Sequence, residues 1–164
     1  MSDDDAAPGA RLLAHWRRWH RLPGGQRVFA WLVGRRARYT GTVGARIVEL
    51  RPGFARAIMR DRPRVRNHLR SIHAVALVNL AEVVSGLAML TALPPGARGI
   101  VTGLSIAYLK KARGTLSADS TVDIPPLGGS TALEVCSVVR DAAGDEVARA
   151  TVRWLVRLPG EPGA

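Results

Sequence analysis

The chain has 164 residues, enough for one domain with a substantial core, and its apolar fraction of 47% excludes general disorder. The net charge of +11 rests almost wholly on arginine, since Lys110 and Lys111 are the only lysines among 24 basic residues. Charge of that size attracts polyanions but identifies no partner, and it makes no strong case for nucleic acid.

The opening "MSDDDAAPGA" is acidic where a secretory signal would be basic, and residues 1–9 read as a disordered tail. Residues 10–38 form a basic helical extension carrying Trp16, Trp19 and Trp31, divided by "LPGGQ" at 22–26. Such helices either pack a tryptophan edge on their own domain, the preferred reading here, or make peripheral membrane contact. Residues 42–62 predict two short strands, "ARIVEL" and "FARAIM", around the turn "RPG". A long apolar helix follows, from Ile72 to Leu93.

After "LPPG" (93–96) the period becomes two. Leu104, Ile106 and Tyr108 share one strand face, and Leu116, Ala118, Val122 and Ile124 a second. Leu133, Val135 and Val139 mark a third strand, and Val152, Trp154 and Val156 the last. "KKARG" and "DAAGD" read as tight turns between neighbouring strands. A helix apolar on every side must be enclosed. The expected fold is therefore α+β, with the central helix wrapped by a curved antiparallel sheet over residues 39–158 and a tail at 159–164.

Glu82 sits inside the most hydrophobic stretch of the chain, and three readings compete for it. A membrane span is long enough, but an acid near its centre costs about 2.5–3.5 kcal/mol, and His73, Asn79 and Ser85 add to that. A structural ion pair with an arginine and an active-site base remain, and burial raises a carboxyl pKa in both settings. The lone Cys136 excludes an internal disulfide, fits a reducing compartment such as the cytoplasm, and is expected in the core. His15, His20 and His68 have no metal-ligand spacing, and neither a nucleophile elbow nor a Gly-rich nucleotide loop is present.

Asn67, His73 and Glu82, with five and eight residues between them, resemble the pattern of hotdog-fold acyl-CoA thioesterases of the phenylacetate-degradation (PaaI) type. "GLSIAYLKKARGTLSADS" is similar to a strand–turn–strand of that family, and "VRDAAGDEVARATVRWLV" to its closing hairpin, so the resemblance spans roughly residues 40–157. It implies thioester hydrolysis with Glu82 as general base or nucleophile, Asn67 orienting water or the carbonyl, and His73 shaping the loop. The backbone N–H groups near Ala74 and Val75 would form the oxyanion site, with Ser85 a second polar contact. Lys110, Lys111 and Arg113 would face the phosphates of coenzyme A, which enters only as part of the substrate; no separate cofactor or metal is implied. The family's groups meet across a dimer interface, so a homodimer or a dimer of dimers is expected. One departure stands out: the family has His-Gly-Gly where this chain has "HAV", and the added side chains crowd a ligand's approach. A non-catalytic module binding acyl-CoA or a lipid-like ligand is the alternative that this departure motivates.

Overall fold

The computed structural model describes residues 8–126 and 129–158. Two helices, α1 (Pro8–Trp19) and α2 (Gly25–Arg36), precede the strands β1 (Arg46–Arg51) and β2 (Phe54–Met59). The long helix α3 (Ala74–Ala92) follows, then β3 (Arg98–Tyr108), β4 (Leu116–Thr121), β5 (Ser130–Arg140) and β6 (Glu146–Arg157). Short 3-10 turns at Thr40–Val43 and Pro63–Val65 link these elements. The strands form one antiparallel sheet in the order β1-β2-β4-β5-β6-β3, with α3 against it, which is the expected α+β hotdog architecture. Most of the tail predicted at 1–9 and the one at 159–164 lie outside the described residues; Pro8 and Gly9 belong to α1.

The alternation read from the sequence holds in the closing strands. Ala148, Ala150, Val152, Trp154 and Val156 of β6 all turn inward and are buried. On β5 the inward set is Val135, Ser137 and Val139, so Cys136 points outward and is exposed. The expectation that Cys136 is core is thereby corrected: its neighbours own the inner face, and a strand places successive side chains on opposite faces. A second correction concerns "KKARG". β3 pairs with β6 at one edge, whereas β4 lies between β2 and β5, so residues 109–115 are a crossover and not a hairpin between neighbours. "DAAGD" does close the β5–β6 hairpin, with Asp141 Oδ1 accepting from the Ala143 and Asp145 N–H groups at 3.0 and 3.1 Å and Gly144 at φ +90°.

α3 starts where His73 adopts extended backbone and caps the helix with its ring, and it ends at Leu93, immediately before Pro94. It is long and apolar enough to cross a membrane by length and composition, yet it packs on β2, β4, β5 and α1, and most of its residues are buried. Hydroxyl groups tie it to its surroundings. Ser137 Oγ donates to the Ala81 carbonyl at 2.9 Å, and Thr91 Oγ1 lies 2.9 Å from the Leu87 carbonyl while accepting the Gly53 N–H at 3.2 Å. α1 rests directly on the helix end: a methyl on Gly9 would run into the Leu90 carbonyl oxygen. Trp16 and Phe29 meet edge to face at 5.1 Å in the core, so α1 and α2 pack on their own domain, while Trp31 remains 58% exposed.

Candidate functional site

The mouth of α3 is built from residues 61–75. Asn67 organises the turn before the helix: its Oδ1 accepts from the Leu69 N–H at 2.9 Å and from the Ser71 N–H and Oγ at 3.2 Å each. Backbone donors fix the amide's orientation, because only the oxygen can accept them, and the Asn67 NH2 is left without a hydrogen bond among the described residues. The turn forces Arg70 to φ +54°, the one described non-glycine residue in the left-handed region. Asp61 ties the loop to the crossover, accepting from Arg66 Nε at 2.6 Å and from the Gly114 N–H at 2.9 Å.

His73 Nδ1 accepts the Val75 N–H at 3.1 Å, and the His73 backbone N–H donates to the Val65 carbonyl at 2.8 Å. The ring therefore shapes the loop by hydrogen bonding. One of the two N–H groups expected at the oxyanion site, that of Val75, is thus engaged by the cap, while that of Ala74 makes no hydrogen bond among the described residues. The Val75 side chain stands 48% exposed over the mouth. Tyr108 at the end of β3 reaches the same turn, its Oη donating to the Ala74 carbonyl at 3.4 Å.

Glu82 lies halfway along α3 on the one stripe that the sheet and α1 leave partly open. That stripe runs through Val75, Val78, Glu82 and Gly86, spaced three to four residues apart on one helix face. The Glu82 carboxylate is half-buried and makes no hydrogen bond or ion pair among the described residues, so the arginine partner of the structural reading is missing there. Burial pushes its pKa above the ordinary glutamate value, since the anion loses hydration with no compensating donor. Glu82 Oε1 and the Trp154 ring lie 3.8 and 4.0 Å from the position that a Cβ on Gly86 would take. Trp154 Nε1 is itself buried without a partner among the described residues. By sequence neither Gly86 nor Trp154 is assigned to the site: the glycine stands there as an interruption of the apolar run and the tryptophan as one face of the last strand. The glycine's place one turn after Glu82 was a usable signal, whereas no sequence spacing could bring Trp154 there.

The remaining candidates are dispersed. Ser85 is fully buried and its hydroxyl donates to the Glu82 carbonyl at 3.0 Å, inside the helix. Lys110 Nζ pairs with Asp141 and Asp145 at 2.7 Å each, pinning the crossover to the β5–β6 hairpin; Lys111 and Arg113 are exposed. Within one chain Glu82 and the Val75 N–H are seven residues apart, about 10 Å along the helix axis. No cluster of three or more metal-ligating side chains occurs among the described residues.

The chain is similar to several solved structures. A structural-genomics target shares 29% identity at a TM-score of 0.78, covering 90% of this chain and 99% of its own. A protein of unknown function from Pseudomonas aeruginosa, described as a probable thioesterase, shares 23% identity at a TM-score of 0.71, covering 83% of this chain and 96% of that one. A thioesterase family protein from Silicibacter pomeroyi shares 19% identity at 0.66, covering 79% and 96%. Among curated proteins none matches. A family model described as a domain of unknown function, DUF4442, matches residues 25–156. With the hotdog fold in place and most of its length inside that match, the chain belongs to the DUF4442 family.

Proposed function

We propose that this protein hydrolyses acyl-CoA, or a related acyl thioester, as a homodimer or dimer of dimers in which Glu82 of one copy faces the helix mouth of the other. The observation that carries the reading is the unpaired, half-buried Glu82 carboxylate on the open stripe of α3. A raised pKa suits a group that takes a proton from water and later returns it. Glu82 would remove a proton from water as its oxygen attacks the thioester carbonyl carbon. The C–S bond then breaks, the sulfur leaves as a thiol with the proton from Glu82, and a carboxylic acid remains. The Ala74 N–H and the Asn67 NH2, both without a partner among the described residues, would donate to the carbonyl oxygen as it gains charge. Within one chain Glu82 stands about 10 Å along the helix axis from the helix mouth, which supports a site shared between two copies. Likeness to proteins described as thioesterases supports the reaction class.

The test is turnover of short-chain, long-chain and aromatic acyl-CoA esters by the wild type and by Glu82→Ala. Hydrolysis by the wild type and its loss in the variant support the reading, whereas equal turnover removes Glu82 from the mechanism. Saturable binding without any turnover would instead mark a ligand-binding module.

A further inference from the structure

Away from Glu82, a cleft of ≈ 720 Å³ opens between α2, the 3-10 turn at Thr40–Val43 and the β1–β2 edge of the sheet. Arg27, Arg35 and Arg38 line it from the helix side, and Arg46, Arg60 and Arg62 from the sheet side; no carboxylate lines it. Its remaining walls include the apolar side chains of Ile47, Ile58 and Val83. We propose that this cleft binds a phosphate-bearing ligand, with the phosphate held among the six guanidinium groups and an apolar or aromatic body against the walls.

Outside the cleft, Arg51, Arg56, Arg66, Arg140 and Arg149 each pair with a carboxylate, whereas others such as Arg98 and Arg153 stand apart on the surface. Arg27, Arg35, Arg38, Arg46 and Arg60 make no such pair among the described residues, although they converge on one concave surface. Like charges brought together in a cleft repel, and an anion with several acceptor oxygens relieves that repulsion while using the guanidinium donors. Arg62 shows that the site is built. Its Nη2 donates to the Val43 carbonyl at 2.8 Å, while its Nε is buried with no partner among the described residues. Gly44, at φ +59°, makes room for that guanidinium, since a Cβ there would collide with Arg62 Nη2. Burial, and then the neighbouring charges of Arg64 and Arg60, work against the charge on Arg62 until an anion arrives. Gly34 and Gly41 let α2 and the 3-10 turn meet backbone to backbone, a Cβ on Gly34 falling 3.1 Å from Gly41 Cα. Trp31 offers an exposed ring at the cleft, with the Arg35 guanidinium 5.0 Å from its centroid.

The cleft is separate from the proposed hydrolytic site. It meets α3 at Val83, about 100° around the helix from Glu82. Phosphate could come from a soluble ester or from a lipid headgroup at a membrane, toward which the exposed Val28, Trp31 and Leu32 would point the apolar surface of α2. The chemistry of the cleft is the same for both sources.

Calorimetric titration of the full chain with pyrophosphate, and co-sedimentation with phosphatidylcholine vesicles with and without phosphatidylglycerol, test this and separate the sources. Saturable binding of pyrophosphate identifies a soluble ester, and preference for the phosphatidylglycerol vesicles alone identifies a headgroup. In either case Arg38→Ala with Arg60→Ala should weaken binding at least about tenfold. Arg98→Ala with Arg153→Ala, which removes the same charge outside the cleft, should change it less than about twofold. If the first pair does not fold, Arg38→Gln alone should still weaken binding about threefold. No binding of either probe, or equal losses in the two pairs, overturns the proposal. Glu82→Gln should leave pyrophosphate affinity unchanged, so failure of the hydrolytic reading does not decide this one.

Discussion

Glu82 and Gly86 stand one turn apart on the open stripe of α3, and a methyl on Gly86 would sit 3.8 Å from Glu82 Oε1 and 4.0 Å from the Trp154 ring. The glycine thus leaves space beside the one carboxylate in the helix. What holds the carboxyl pKa up is burial, which strips hydration from the anion, with no charged partner among the described residues to offset it.

Replacing Glu82 by Gln should reduce thioester hydrolysis by at least about 100-fold, chiefly through kcat, because the variant keeps the shape and loses the base. In the wild type, kcat/KM should rise with pH through a value above the ordinary 4.3 or so of glutamate, since the base acts only when ionised. The stability effect has the opposite sign. The fold prefers protonated Glu82, so its contribution is complete below the ordinary glutamate pKa and is lost as pH rises through the raised one. Glu82→Gln should therefore melt no lower than the wild type at pH 7. A clear drop in Tm there would mean that the anion has a stabilising partner.

Gly86→Ala should stabilise the protein by about 0.5–1 kcal/mol, because alanine is the better helix former and the new contacts are of ordinary van der Waals length. The methyl also excludes water from Glu82, so the acid limb of the pH–rate profile should move upward. Chemical denaturation and the pH profile read the two effects separately.

Gly9→Ala should destabilise by about 1–3 kcal/mol, because the methyl would strike the Leu90 carbonyl and lie 3.0 Å from Thr91 Cα, neither of which can yield easily inside a buried helix end. Limited proteolysis in "LPGGQ" should quicken as α1 lifts. An unchanged Tm and cleavage rate would show that α1 is not docked as described.

Asp61→Asn should cost up to about 1 kcal/mol at neutral pH, since it removes the charge that holds the solvent-screened Arg66 in a loop also joined to Gly114. The hydrogen bond from Arg66 keeps the Asp61 carboxyl below its usual range. Its stabilisation is present above the unfolded-state pKa and disappears as pH falls through the lower folded one. The gap in stability between wild type and variant should close on acidification, which denaturant melts at a series of pH values would follow.

Much of this protein could be read directly from residue order. Period-two stretches announced β1, β2 and the closing strands, and the apolar run ending before Pro94 announced α3, because local periodicity and a fixed φ act without tertiary help. The positions of Asn67, His73 and Glu82 on the mouth and middle of that helix were legible for the same reason. Only the tertiary structure decided the rest. It put β3 beside β6, making "KKARG" a crossover, since strand pairing is chosen by long-range burial and not by turn residues alone. It left Glu82 without an arginine in a chain rich in arginine and set Trp154 near it from 72 residues away. It also gathered Arg27 and Arg62, 35 residues apart, into one cleft free of acids. Whether a charge finds a partner depends on distances through space, and residue order does not contain them.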